Sequence, residues 1–406
     1  MTAIYQESKP ISSRQKYLGD KGLIVFIALL SAFAPISTDL YLPALPGMSD
    51  YFHVTGDLAN LTLILFFIFF SLGMFVWGPL SDKYGRRPIL ITCLVLYIIS
   101  SFGCAISLNI WYLIVFRVFQ AIGGSGAITV ATAIVRDSYS GKKQESVLAV
   151  VQSMIFIAPA VAPVLGAFML PYTSWRGIFW TLTLIGLISL CGALLFSESI
   201  PSRFNGTVMQ SMKKLGVVLS NRSFSSLLII FSLTTITPLS FVAASSFIFE
   251  RGFGVSEQVF SLFFALNALG LILGPFIYLW LFRHFTRSQI IVFSFIITII
   301  GGVLVCIIGN LGPLVFSFAL LPASVMTSCV KIPGTFLTLE QQKKDTGSAV
   351  ALVNSFSLIF GTIGMFLISF DMTGTFLLGT LNIVVGFVCL VGWLIVKKLK
   401  VADIQE

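Results

Sequence analysis

Charge is scarce in this chain. Asp, Glu, Lys and Arg make up 10% of its 406 residues, against about 25% in soluble globular proteins. Histidine is nearly missing: His53 and His284 both fall in loop-like sequence. No HExxH motif occurs, which removes a common zinc-site arrangement. Cys93, Cys104, Cys191, Cys306, Cys329 and Cys389 stand singly in apolar runs without a CxxC pair, so they write neither a metal site nor a disulfide framework. No metal and no cofactor is expected. GxSxG, paired carboxylates at membrane depth and a Walker A sequence are also missing, as is an appended signalling domain. An intramembrane enzyme, an ATP-driven pump and a sensor each lack their machinery. The first twenty residues are polar, the apolar run after them is too long for a signal-peptide core, and no small-x-small cleavage site follows. The first span is expected to be retained.

What is abundant is apolar sequence, at 57% of residues with a mean hydropathy of +0.99. Runs of about twenty apolar residues, each able to cross a hydrocarbon core of roughly 30 Å, recur along the whole length. They read as twelve spans, near 22–46, 57–78, 88–107, 111–135, 146–170, 176–197, 223–249, 258–282, 288–309, 311–333, 347–370 and 373–396. The fold class is all-α, polytopic, with two six-helix halves. Residues 1–197 form one half and 223–406 the other, with a central loop at 198–222. Within that loop Val208, Met209, Met212, Leu215 and Leu219 recur at helical spacing beside Lys213 and Lys214. This is either an amphipathic surface helix or an unstructured linker.

The basic residues orient the chain. With the N-terminus inside, 22 of the 25 Lys and Arg fall on inner segments. Arg176 and Arg251 fall outside and Arg117 within a span. Such a bias is the positive-inside pattern. The net charge of +9 is therefore a membrane-facing charge rather than a nucleic-acid footprint. Both termini are expected in the cytoplasm, with lipid headgroups against the basic loops.

Three stretches carry chemistry. The first is the turn Gly78-Pro-Leu-Ser-Asp82-Lys83-Tyr-Gly85-Arg86-Arg87-Pro88, where glycines permit close approach or positive φ and the arginines can meet lipid phosphate or helix ends. The second is span 4, with Arg117, Gln120 three residues on, and Gly123-Gly124-Ser125-Gly126. A charge inside a span is costly unless paired or wetted, so Arg117 is either functional or snorkels to the outer headgroups. The third is Asp39, the single acid placed within a span. At about 1.5 Å per residue, Asp39 and Arg117 each lie about 9 Å from their outer span ends. They can pair. Two readings stay open: Asp39 carries a proton and Arg117 tunes it, or the two form a static ion pair.

These motifs resemble those of the major facilitator superfamily. The resemblance implies that Gly78, Asp82, Gly85, Arg86 and Arg87 latch the two halves in the outward-facing state, although plain positive-inside anchoring also explains the basic residues. Span 5, Ala158-Pro159-Ala160-Val161-Ala162-Pro163-Val164-Leu165-Gly166, resembles the family's antiporter motif. Pro163 and Gly166 match it strictly, while alanines replace its glycines elsewhere; Pro159 and Pro163 are expected to kink the helix. Asp39 to Pro46 and Trp175-Arg176-Gly177-Ile178-Phe179-Trp180 resemble the drug:proton antiporter branch that exports bicyclomycin- and chloramphenicol-type antibiotics. A proton-coupled exporter of small amphipathic drugs is then expected, working as a monomer in the inner membrane by alternating access. Its partners would be substrate, protons and lipid, with no nucleic acid. A same-fold carrier of a nucleoside, sugar or amino acid is the alternative. Asp39, Tyr41, Arg117, Gln120, Gln152, Thr235, Asn267 and Asn354 are the candidate substrate contacts. Lys331, near the inner end of span 10, is expected to snorkel.

Overall fold

The computed structural model describes residues 15, 17–200, 208–342, 346–399 and 401–402, without the side chains of Gln152 and a few other helical residues. Lys9, Arg14, Lys16, Arg203, Lys343, Lys344 and Lys400, which enter the charge count, lie outside the described residues. Among the described residues the chain is helical with no strand. The helices are α1 (Gly19–Ser31), α2 (Phe33–Asp39), α3 (Leu45–Tyr51), α4 (Gly56–Tyr84), α5 (Arg86–Ala105), α6 (Ile110–Ser138), α7 (Gly141–Leu195), α8 (Val208–Leu219), α9 (Arg222–Leu233), α10 (Ile236–Ser246), α11 (Glu257–Leu281), α12 (Arg287–Ile308), α13 (Pro313–Glu340), α14 (Thr346–Ile368) and α15 (Thr375–Lys398).

They resolve into the twelve spans. The first is broken: α1 and the segment Phe33–Tyr51 meet at a bend of 40°. Pro35 explains the break, because it has no N–H to donate back to the end of α1. Span 7 repeats the device. It runs through α9, α10 and a π turn at Phe247–Gly252, with Pro238 third in α10 as Pro35 is third in α2. The 55 residues of α7 would reach about 82 Å as one rod, far more than a bilayer. Ser174, at φ 57° and ψ 178°, turns the chain and divides α7 into spans 5 and 6.

Boundaries differ from the sequence reading where polar residues prolong helices beyond the apolar runs. Span 1 continues to Tyr51, and α13 to Glu340. Span 2 continues to Tyr84, so Gly78 lies inside a helix and not in a turn. A Cβ on Gly78 would meet only Thr129 Cγ2, at 3.8 Å, so nothing there demands glycine. Glu250 falls within the seventh span, which makes Asp39 one of several acids in these helices. The amphipathic segment is helical as α8, but it docks: Leu215, Val218 and Leu219 pack with Phe75, Phe224, Ala349 and Leu352.

Within the first six spans α6 packs on both α4 and α5, with α7 against α5; within the last six, α12 packs on α13 and α15. Contacts of α7 with α11 and of α4 with α14 bridge the two groups. Large apolar side chains such as Phe276, Leu279, Phe293 and Phe387 remain exposed around the periphery, as a lipid-facing surface requires.

Candidate functional site

The polar centre of the first six spans is built around Arg117. It is 0% exposed. Its Nη1 donates to the Ser37 carbonyl at 2.8 Å and to Gln120 Oε1 at 2.7 Å. Gln120 Nε2 passes the chain on to Ser101 Oγ at 2.7 Å, and Ser101 donates to the Tyr97 carbonyl. The broken first span creates this site. The last carbonyls of a helix have no partner within it, and a cation is favoured there; Arg117 serves the end of α2. The guanidinium also lies over Phe66 at 4.3 Å and Tyr41 at 4.5 Å, contacts that favour a desolvated cation. Tyr41 shares a hydrogen bond with Thr62, and Ser37 shares one with the Tyr97 hydroxyl. Arg117 Nε and Nη2 have no hydrogen-bond partner among the described residues.

Asp39 lies two residues from that capped carbonyl and is 6% exposed. Its Oδ1 accepts from Thr38 Oγ1 at 2.9 Å. The pairing expected from matching depth does not form: Arg117 reaches the backbone of α2, while the Asp39 carboxyl is among the described residues without an ion-pair partner. Arg117 does not snorkel either, being sealed inside the bundle.

The other candidates are spread out. Thr235 donates to the Ser232 and Ser357 carbonyls and lines a pocket between α9, α13 and α14. Asn354 is exposed on α14. Asn267 bonds Ser324 Oγ across α11 and α13 at 2.8 Å. The Gln152 side chain lies outside the described residues. Of the eight proposed substrate contacts, the structure thus joins Tyr41, Arg117 and Gln120 through direct contacts, with Asp39 on the adjoining turn.

The charged motif folds into a compact knot on the basic face. Arg86 is buried and donates through Nη1 to Asp82 at 2.5 Å and Ser81 at 2.7 Å, and through Nε to Asp137 at 2.8 Å. Gly85 separates α4 from α5 at φ 108°, and a Cβ there would come within 2.6 Å of Glu198 Oε2. Glu198 accepts from the backbone N–H of Arg86 at 3.0 Å and of Arg87 at 3.2 Å, capping α5. Arg87 Nη2 donates to the Leu194 carbonyl. In this conformation these bonds stay within residues 81–198 and none reaches the last six spans. Asp137 and Glu198 went unread in the sequence, because their partners lie 51 and 112 positions away. In span 5, a Cβ on Gly166 would sit 1.8 Å from the Leu40 carbonyl, so spans 1 and 5 touch backbone to backbone. Pro163 is buried beside it and Pro159 is half-buried.

On the opposite face Arg251 crosses between the two groups of spans. Its Nη2 lies 2.8 Å from the Pro46 carbonyl, 2.7 Å from Ser49 Oγ and 2.5 Å from Asp50 Oδ1. Asn60 reaches Ser369 Oγ, and Gln258 the Ala167 carbonyl, near the same face.

Among known proteins, the chain is similar over 374 residues, at 29% identity, to an MFS-type transporter, YdgK, of Bacillus subtilis (strain 168), spanning 90% of this chain and 93% of that protein. It is 35% identical over 175 residues to a chloramphenicol resistance protein of Pseudomonas aeruginosa, 42% of each chain. It is 31% identical over 188 residues to citrate exporter 1 of Aspergillus niger, covering 46% of this chain and 36% of that one. Its fold matches the crystal structure of a D-xylose-proton symporter with TM-score 0.73 at 13% identity, covering 90% and 96% of the two chains. A bacterial homologue of the human lysosomal transporter Spinster, inward-facing and occupied, matches with TM-score 0.74 at 12% identity over 95% and 99%. Residues 27–365 match the family described as Major Facilitator Superfamily. The chain, a multi-pass membrane transporter and not an enzyme, belongs to the Major Facilitator Superfamily.

Proposed function

We propose that the protein exports small amphipathic drugs of the chloramphenicol or bicyclomycin kind in exchange for protons. The observation that carries this reading is Asp39: a buried carboxyl with no basic side chain against it, next to a helix break held by Arg117. A bare carboxylate in such a place is costly. With no cation paired to it among the described residues, a proton is what neutralises it. The break lets the Asp39 turn shift without unwinding a continuous helix. When Arg117 releases the Ser37 carbonyl, it becomes free to face the carboxylate, which favours proton loss. Substrate and proton then compete for one set of groups on opposite phases of the cycle, with two six-helix halves, 1–197 and 223–406, rocking about the site. The chloramphenicol resistance protein's similarity over 175 residues supports the substrate class. The basic face is cytoplasmic on this reading, the membrane is the inner one, and a monomer suffices. The Arg86 knot would stiffen that face and release or engage the last six spans as the cycle turns.

The test is transport in proteoliposomes. An imposed inward-acid gradient drives chloramphenicol countertransport by the wild type; Asp39→Asn abolishes gradient-driven movement while retaining downhill exchange. Gradient-driven transport at the wild-type rate in Asp39→Asn would end the proton-carrier assignment.

A further inference from the structure

Lys331 is an unexplained charge. It lies nine residues before the end of α13. No hydrogen bond or ion pair is made by it among the described residues, and it is exposed to open space rather than packed. That space is a pocket between α9, α13 and α14, lined by Lys331, Thr335 and Thr338, by Ser232 and Thr235, and by Ser357, with Leu228, Phe231 and Val353 as its apolar wall. The register is consistent on all three helices. Lys331, Thr335 and Thr338 are spaced i, i+4, i+7, Leu228, Phe231 and Ser232 i, i+3, i+4, and Val353 and Ser357 i, i+4, so each helix turns one face to the pocket, with Thr235 in the turn that follows α9. Thr235 and Thr338 spend their hydroxyls on carbonyls. The hydroxyls of Ser232, Thr335 and Ser357 engage no partner among the described residues.

One ammonium and three uncommitted hydroxyls around a half-apolar wall form a donor set with no negative charge among its lining residues. Inside a membrane such a set is stabilised by an anion. We propose that this pocket is a subsite for a carboxylate or similarly anionic group of an amphipathic cargo, with Lys331 as its counter-ion. The apolar wall takes the cargo's adjoining hydrocarbon. This goes beyond the export reading by adding molecules with an acidic end to the neutral drugs, and it rests on that reading only for the word cargo. A lipid headgroup phosphate has the same chemistry and is the competing source.

The experiment measures binding to the purified full-length protein in phosphatidylcholine nanodiscs at neutral pH without a gradient. The probes are chloramphenicol hemisuccinate, which carries a carboxylate, and its methyl ester, which does not. The wild type is expected to bind the acid at least tenfold more tightly than the ester. Lys331→Gln removes that preference; Lys331→Arg, which keeps the charge, restores it. Equal binding of acid and ester by the wild type, or a preference that survives in Lys331→Gln, overturns the proposal. So does a preference abolished by 30% phosphatidylglycerol, which would hand the pocket to lipid. Loss of proton-driven chloramphenicol transport, by contrast, would fail the export reading alone, since these measurements need no gradient.

Discussion

Arg251 is a single side chain on which the closure of one face depends, and its removal can be sized. Its Nη2 faces the Pro46 carbonyl, Ser49 Oγ and Asp50 Oδ1. One η nitrogen has two N–H groups, so at most two of the three bonds are fully made. The Asp50 carboxylate is 74% exposed, which limits that pair to about 0–1 kcal/mol. The remaining bond comes from a charged donor, worth about 1.5–3 kcal/mol when buried and less here, because Arg251 is itself partly exposed. Arg251→Ala should therefore weaken the closed face by about 1–3 kcal/mol, a roughly 5- to 150-fold change in the closed-to-open ratio. Spin labels on Leu108→Cys and Leu311→Cys, exposed positions in the loops of that face, read the change by double electron–electron resonance in a background without the six native cysteines. Arg251→Ala should move population to longer distances, and Asp50→Asn should do so more weakly, with an effect that fades at high salt. A distance distribution identical to wild type in Arg251→Ala, at both low and high salt, would refute the argument that this side chain holds the face shut.

Two further contrasts follow from the geometry. Asp137 is 15% exposed and Asp82 46%, so Asp137→Asn should cost about 2–4 kcal/mol by stranding part of a buried ion pair, and Asp82→Asn about 1 kcal/mol or less. Thermal unfolding of the purified variants in one detergent checks this, and a larger loss in Asp82→Asn would reverse the ranking. Gly166→Ala places a methyl group 1.8 Å from the Leu40 carbonyl, whereas Gly78→Ala meets nothing closer than 3.8 Å. Transport and monodispersity should collapse in the first and persist in the second; two variants of equal behaviour would contradict the packing of spans 1 and 5.

The spans were readable because charge is excluded from hydrocarbon, so each apolar run had to be a helix and each cluster of Lys and Arg an end. Helix lengths were less readable. Ser81 to Tyr84 are polar and yet helical, because the partners that stabilise them, Arg86 and through it Asp137, come from elsewhere in the chain. Depth arithmetic brought Arg117 to the right level of span 1. It could not foresee that Pro35 would break the span and leave carbonyls there for the guanidinium to take in place of Asp39. The positive φ of Ser174 was likewise hidden, since no glycine marks it. Lys331 needed three helix faces to converge before its surroundings acquired meaning.

The cap that Glu198 places on α5 has a mechanical consequence. By gripping the two amides at the head of the third span, it anchors the exit of the sixth and makes the first bundle a closed loop of chain at its basic rim. The tether to the second bundle therefore starts from a fixed post at Ser199.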